Sequence, residues 1–173
     1  MDVREKYEKL TKLLIQKNIS ITTMESCTSG QIASLITDTE GASAIMKGAF
    51  ITYSNEAKIM AGVPSRIIDE FGVYSKETAS AMAKCCKERF AANIGIGVTG
   101  SFGNADPNNA DSVPGEVFFS IVADCGIYNE SDAQGKESVI TKLITIPRKE
   151  NRLAYKLFVA DHVADVLLGL LSA

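Results

Sequence analysis

The chain has 173 residues, of which 46% are hydrophobic, and this composition suits one compact domain over residues 1–173. The net charge is −3 and the sequence pI is near 5.3, so we expect no binding to nucleic acid or anionic membranes. No apolar run reaches the roughly 20 residues of a membrane span, and the charged stretch from Met1 to Lys6 lacks the apolar core of a secretory signal, which favours the cytoplasm.

Helical and strand patterns mix along the chain, which predicts a three-layer α/β/α sandwich with a mixed sheet. The predicted helices are about Val3–Lys17, Ser29–Ile36, a short segment at Ala42–Ile45, Asn55 to Gly62, Ser65–Phe71, Lys76–Phe90 with Ser75 as N-cap, and Lys149–Leu171. The predicted strands are Ser20–Met24, Ala49–Tyr53, Asn93–Val98, Gly115–Val122 and Ser138–Ile146. Two polar connections remain, Ser101–Pro114 and Asp124–Lys136, and the length of the first indicates a mobile or functional loop.

The stretch from Ile19 to Ile36 passes from a β-branched run through small polar residues into helix-forming residues. A buried strand that turns directly into a helix fixes its last side chains and offers the unpaired N–H groups of the helix start. We therefore hypothesise that Ser26 is a nucleophile at this strand-to-helix junction.

A nucleophilic serine needs a base, and lysine is the usual substitute where histidine is missing. Lys58 is the best candidate, because it lies one helical turn beyond a predicted strand end and can face the same crevice as Ser26. Taken alone, a lysine at such a position is most often a solvated surface charge. Ser54, at i and i+4 with Lys58, is a rival nucleophile but is better interpreted as a helix cap. Cys27 is a second rival, interpreted as packed core.

The cysteines, the histidine and the glycine-rich stretch of the sequence give weaker indications of function. The four cysteines have neither Cys-x-x-Cys spacing nor nearby histidines, so we expect no disulfide framework, metal or cofactor. The one histidine, His162, is interpreted as a partly buried helix residue rather than a triad member. The stretch Gly95–Gly100 matches the dinucleotide-binding pattern G-x-G-x-x-G, but no predicted helix follows it, as that pattern requires. Gly95 and Gly97 are therefore interpreted as positions where a helix packs closely on the strand. Thr99–Gly100 is interpreted as a tight turn that can present N–H groups to a phosphate.

The residues also resemble a known family, the C-terminal domain of CinA-type competence/damage-inducible proteins, from about Thr22 to the end of the chain. Glu25–Gly30 is similar to the family's E-S-C-T-G-G, and Ile51–Lys58 to its V-T-Y-S-N-E-A-K. Gly72–Lys76 is similar to G-A-V-S-E, and Pro114–Val117 to P-V-G-T-V. Stand-alone members are nicotinamide mononucleotide deamidases, so the resemblance implies a serine-lysine amidohydrolase that converts this small-molecule nucleotide to nicotinate mononucleotide and ammonia.

The resemblance also implies roles for single residues. The family's nucleophile falls on Ser26 and its lysine base on Lys58, while Tyr53 and Thr99, the latter followed by Gly100, fall on substrate-pocket positions. N–H groups of Thr28, Ser29 and Gly30 would hold the oxyanion, and a family arginine falls on Arg148, with Arg152 as second choice for the phosphate. A homo-oligomer is implied as well. Many relatives carry a second, molybdopterin-binding-like domain for which 173 residues leave no room.

Two departures from the family pattern change the pocket wall. Ser29 stands where the family has glycine, and Ser101–Asp106 replaces the family's glycine-rich I-A-G-P-G-G. A second hypothesis is therefore a nucleotide-binding module that keeps the pocket but has lost turnover through the altered loop. A third is a purely structural assembly domain, which binds no nucleotide.

Overall fold

The computed structural model describes residues 1–127 and 137–172 of the chain. Within them, the helices are α1 (Val3–Lys17), α2 (Gln31–Thr37), α3 (Asn55–Ala61), α4 (Ser65–Phe71), α5 (Lys76–Phe90) and α6 (Arg152–Ser172), with a 3₁₀ turn at Ala42–Ala44. The strands are β1 (Ile21–Glu25), β2 (Met46–Ile51), β3 (Ile94–Gly100), β4 (Glu116–Asp124) and β5 (Glu137–Thr145). The predicted connection from Asp124 to Lys136 lies mostly outside the described residues.

The five strands form one sheet in the order β2-β1-β3-β4-β5. Strand β1, the second in this order, runs parallel to both β2 and β3, whereas β4 is antiparallel to both β3 and β5. Every residue of β1 and β3 is buried, as expected of parallel strands covered on both faces. The predicted mixed sheet is therefore confirmed.

Helices cover both faces of this sheet. The larger core packs α1, α2 and α6 against one face, with Tyr7, Ile96 and Val163 among its fully buried members. A smaller cluster on the other face joins α4 and α5 to the sheet through Met24, Met82 and neighbouring side chains. This arrangement confirms the three-layer sandwich. No helix in the described parts of the chain is both apolar enough and long enough to cross a bilayer.

Two glycines of β3 allow α5 to lie directly on the sheet. A Cβ atom on Gly97 would lie 2.1 Å from the carbonyl oxygen of Ala79, and one on Gly95 would lie 2.2 Å from that of Ala83. Contacts this short are impossible for a real side chain. The interpretation of both glycines as close-packing positions is therefore confirmed, which removes the dinucleotide reading of the glycine pattern.

Two predicted boundaries were wrong where neighbouring backbone decides the outcome. Thr99 and Gly100 do not form a turn; β3 continues through both, because β4 supplies Phe118 and Val117 as antiparallel partners. Strand β2 begins at Met46 and ends at Ile51 rather than spanning Ala49–Tyr53, since its pairing with β1 stops opposite Glu25. Thr52 therefore lies beyond the strand.

Candidate active site

The described residues form a cleft of about 660 Å³ beyond the carboxyl ends of β1 and β3. Strands β2 and β3 lie on opposite sides of β1, so the order of strands reverses here, and α/β folds bind ligands at such points. The cleft wall includes Ser26, Tyr53, Asn55, Gly100, Asp106 and Arg152. The topology thus brings together residues from distant parts of the sequence.

Ser26 directly follows β1 and is held by its own backbone. Its N–H donates to the Val98 carbonyl at 3.0 Å, and its side chain is nearly buried. The preceding residue, Glu25, is fully buried and accepts the N–H groups of Ile32 and Ala33 at 3.2 and 2.9 Å. This carboxylate thereby caps the first turn of α2, whose N-cap residue offers no side chain. The strand-to-helix junction is therefore rigid on both sides of Ser26.

Lys58 reaches the same point from α3. Ser54 begins that helix by accepting the Ala57 N–H at 3.1 Å, which turns the side chain of Lys58 inward one turn later. Lys58 is only 2% exposed, and its Nζ lies 3.3 Å from Ser26 Oγ and 2.9 Å from the Thr52 carbonyl oxygen. The Thr52 carbonyl is available because β2 ends one residue earlier. The end of β2 and the start of α3 thus place the amine of Lys58 against the hydroxyl of Ser26.

The environment of Lys58 disfavours the ammonium form of its side chain relative to a lysine in water. No carboxylate among the described residues forms an ion pair with its amine, and the carbonyl of Thr52 is uncharged. Burial lowers the pKa of Lys58 from its usual 10.5 to about 8. A neutral amine can donate one N–H to Thr52 and still accept the hydroxyl proton of Ser26. The pair can therefore act as nucleophile and base.

The rival groups have structural roles. Ser54 is the N-cap of α3, and Cys27 is core, where burial raises the pKa of its thiol to about 12. His162 lies on α6 with its ring against Phe158 and its Nδ1 2.9 Å from that residue's carbonyl oxygen. Those three interpretations are confirmed.

Of the predicted substrate-pocket residues that follow β2 or lie on β3, Tyr53 and Gly100 line the cleft. Tyr53 is 61% exposed at its rim. Thr99 is fully buried and its hydroxyl donates to the Val73 carbonyl at 2.8 Å, so this side chain is occupied in holding the chain that leads into α5. Thr99 lies beneath the cleft rather than in its wall.

The turn after Ser26 differs in detail from the expected oxyanion site. Ser29 adopts a left-handed backbone with φ of 54°, and its N–H donates to the Ser26 carbonyl at 3.0 Å, which removes it as an oxyanion donor. The Thr28 hydroxyl is buried and has no partner among the described residues. Gly30, the N-cap residue of α2, also has a positive φ. Neither Thr28 nor Gly30 is among the residues that line the cleft, so the role of their N–H groups as oxyanion donors stays a prediction.

The two arginines occupy different surroundings. Arg152, the first residue of α6, lines the cleft, donates to the Tyr53 hydroxyl at 3.0 Å and lies 5.2 Å from the ring centre of Phe102. Arg148 is exposed and does not form part of the cleft wall. Helix α6 begins at Arg152 rather than Lys149, because Asn151 caps it by accepting the Ala154 N–H.

Sequence reasoning missed a polar network across the cleft mouth. Asn55 Nδ2 donates to Asn109 Oδ1 at 2.8 Å, and Asn109 Nδ2 donates to Asp106 Oδ2 at 2.7 Å. The Tyr74 hydroxyl donates to the same Asp106 oxygen at 2.6 Å. Two features of the sequence could have pointed to this network, namely the length of the Ser101–Pro114 loop and the position of Asn55 beside Ser54. Neither feature indicates which loop residues contact α3.

The sequence of the chain matches a family model over residues 4–144, that of the CinA C-terminal domain. A CinA-like protein of Flavobacterium psychrophilum is 38% identical over 140 residues, which cover 78% of this chain and 33% of that protein. A CinA-like protein of Fervidobacterium nodosum is 32% identical over 84% of this chain and 36% of its own length. The chain thus spans about a third of the length of these curated relatives.

Solved structures agree with the sequence comparison. The competence/damage inducible protein CihA from Agrobacterium tumefaciens superposes with a TM-score of 0.81 at 27% identity, covering 98% of this chain and 96% of that one. The competence damage-inducible protein A from Klebsiella pneumoniae superposes with a TM-score of 0.84 over 99% of this chain and 98% of its own, and at 18% identity it shows the fold alone. The chain belongs to the CinA C-terminal domain family.

Proposed function

We propose that this chain is a serine-lysine amidohydrolase that hydrolyses the carboxamide of nicotinamide mononucleotide. The observation that carries the proposal is the 3.3 Å contact between Lys58 Nζ and Ser26 Oγ inside a buried pair with no counter-ion for the amine among the described residues. A solvated surface lysine would not be expected in such surroundings. The substrate itself is inferred from the family resemblance in the motifs around both residues.

In the proposed reaction, neutral Lys58 takes the proton of Ser26 Oγ as that oxygen attacks the carboxamide carbon. The resulting tetrahedral oxyanion accepts hydrogen bonds from the N–H groups of Thr28 and Gly30, each typically contributing about 3–4 kcal/mol. The Lys58 ammonium then returns its proton to the amide nitrogen, and ammonia leaves. Water attacks the acyl-serine ester, with Lys58 again as base, which releases the nicotinate product and restores Ser26.

The lowered pKa of Lys58 supports this role quantitatively. With a pKa of about 8, roughly one molecule in ten carries the neutral amine at pH 7, whereas an unperturbed lysine provides about one in 2,500. Burial therefore supplies a more than hundredfold gain in competent enzyme. No histidine is required for the proton transfer.

The phosphate of the substrate is assigned to Arg152 in this proposal. Its guanidinium lines the cleft and is steadied by the Tyr53 hydroxyl and the Phe102 ring, so little side-chain freedom is lost when an anion binds. Arg148, the first choice from the resemblance, is exposed outside the cleft wall. Tyr53 forms the rim between this arginine and the dyad.

The test is ammonia release from nicotinamide mononucleotide by the wild-type chain and by Ser26→Ala. We expect turnover by the wild type and a loss of at least about 10³-fold in Ser26→Ala, because the nucleophile is gone. Ser34→Ala, exposed on α2, is the matched control and should keep full activity. Undiminished turnover by Ser26→Ala would show that another group attacks the amide.

One observation favours the binding module without turnover as the second candidate. The loop after β3 forms much of the cleft wall and brings the carboxylate of Asp106 into it, where the family pattern has glycine. Calorimetry with the mononucleotide separates the candidates. Binding without ammonia release would identify the module, and absence of binding would leave the structural assembly domain.

A further inference from the structure

Only one of the two polar atoms of the Asn55 side-chain amide forms a hydrogen bond. Its Nδ2 donates to Asn109 Oδ1, but its Oδ1 is buried and has no hydrogen-bond partner among the described residues. An unpaired buried acceptor destabilises the fold, so such an atom calls for a reason. Asn55 lines the same cleft as Ser26 and lies one turn ahead of Lys58 on α3.

The network fixes which end of Asn55 is left over. Asp106 accepts three hydrogen bonds, from Tyr74, Asn109 and the Asn108 backbone N–H, as an ionised carboxylate does. Since a carboxylate offers only acceptors, Asn109 must present its Nδ2 to it and is left with Oδ1 facing α3. Asn55 must then present Nδ2 to Asn109. A flipped Asn55 would place two carbonyl oxygens 2.8 Å apart.

We propose that Asn55 Oδ1 is a specificity-determining acceptor that binds the NH₂ group of the substrate carboxamide and so distinguishes substrate from acid product. This inference rests on the proposed function. A carboxamide has two N–H donors to offer, whereas the carboxylate produced by hydrolysis has none at neutral pH. The acceptor therefore binds the amide and repels the acid, which favours product release. Asp106 and Asn109 act as positioning residues that hold the acceptor in this orientation.

The matching of donor and acceptor sets the expected size of the effect. A site that hydrogen-bonds a substrate N–H rejects the analogue that lacks it, because its own buried group is then left unpaired. A single such bond gives about tenfold in affinity, and repulsion from the carboxylate adds to it. We therefore expect at least tenfold tighter binding of the amide than of the acid.

The experiment measures binding rather than turnover, in a Ser26→Ala background that does not consume the amide. Calorimetry gives the ratio of affinities for nicotinamide mononucleotide and nicotinate mononucleotide, which share every other group. Adding Asn55→Ala is expected to bring this ratio to within about threefold of unity. Asp106→Asn, which frees Asn109 to flip, is expected to lower the ratio while leaving the helix start untouched. Val113→Ala, an exposed position of the same loop outside the cleft wall, is the matched control.

The outcomes separate this inference from the proposed function. An unchanged ratio in both Asn55→Ala and Asp106→Asn, an initial ratio near one, or no binding of either nucleotide overturns the role of Asn55. If the wild type releases no ammonia but the ratio falls as expected, the amide selectivity stands and the proposed catalysis fails. Thermal melting of each variant checks folding, and the second variant serves if Asn55→Ala unfolds.

Discussion

Replacing the buried amine by an uncharged side chain of similar length tests the central feature of the site. Lys58→Met is expected to abolish turnover and yet to stabilise the protein at pH 7. Lys58 is 2% exposed, and burial disfavours its ammonium form, which is why its pKa falls to about 8. A methionine fills the same space without that electrostatic cost.

The size of the effect follows from the pKa. The gap between 10.5 and about 8 corresponds to about 3 kcal/mol of destabilisation of the folded protein while the amine is charged. Methionine loses the hydrogen bonds to Thr52 and Ser26, at about 1 kcal/mol each. The net expectation is that Lys58→Met unfolds with a free energy about 1 kcal/mol higher than that of the wild type at pH 7.

The sign of the pH dependence is opposite to that of an ordinary salt-bridged lysine. Folding lowers the pKa of Lys58, so between about pH 8 and pH 10.5 the unfolded chain binds more protons than the folded one. The wild type therefore gains stability relative to Lys58→Met as pH rises, by about 2 kcal/mol between pH 7 and pH 9.5. The wild type should then be the more stable protein at pH 9.5.

Urea denaturation of both proteins at pH 7, 8, 9 and 9.5 measures this difference, in which all other titrating groups cancel. The control is Lys47→Met, an exposed lysine of β2, whose difference from the wild type should stay within about 0.5 kcal/mol at every pH. The wild-type kcat/KM should rise about tenfold per pH unit below pH 8 and then level off. A wild-type to Lys58→Met difference that does not vary with pH would refute the burial of an amine with lowered pKa.

Three further predictions follow from single contacts. Ser29→Gly should raise the free energy of unfolding, measured by urea denaturation, by about 1 kcal/mol, because glycine adopts the positive φ without strain. Ser34→Gly, in the middle of α2, is the control and should lower that free energy. A lower free energy of unfolding in Ser29→Gly would contradict the strain at this position. Glu25→Gln should lower the unfolding free energy by about 1–3 kcal/mol, since one accepting oxygen becomes a donor facing N–H groups, and an unchanged urea midpoint would contradict the capping role. Arg152→Met should raise KM for the mononucleotide about tenfold or more while Arg148→Met leaves it unchanged, and the reverse result would restore Arg148 as the phosphate ligand.

The order of elements could be read from the sequence because it depends on local pattern. The β-branched run into Glu25, the Ser75 cap and the glycines of β3 each specify one local conformation, and all appear as expected. The positions of Ser26 and Lys58 could be expected near each other from strand ends alone, since parallel strands end at one edge. The resemblance of the surrounding motifs to the family then implied the roles of nucleophile and base that we propose for them.

What the sequence could not provide depends on contacts between distant segments. Thr99 looked available for a ligand, but its hydroxyl is taken by the Val73 carbonyl, 26 residues earlier. Asn55 and Asn109 are 54 residues apart, and no periodicity relates a helix start to a loop residue. Which of Arg148 and Arg152 lines the cleft depends on where α6 begins, a boundary set by the side chain of Asn151.

Glu25 and Lys58 are both buried close to Ser26, and no ion pair joins the two side chains. Glu25 is satisfied by the Thr23 hydroxyl and two N–H groups of α2, so its oxygens are occupied without the help of a cation. Had Glu25 instead paired with Lys58, the pair would have held the ammonium form and removed the base. A helix start that accepts the carboxylate leaves the amine to a neutral carbonyl and a hydroxyl. The capping of α2 by Glu25 therefore helps to keep the pKa of Lys58 low, which the proposed role as a base requires, besides fixing the junction that carries Ser26.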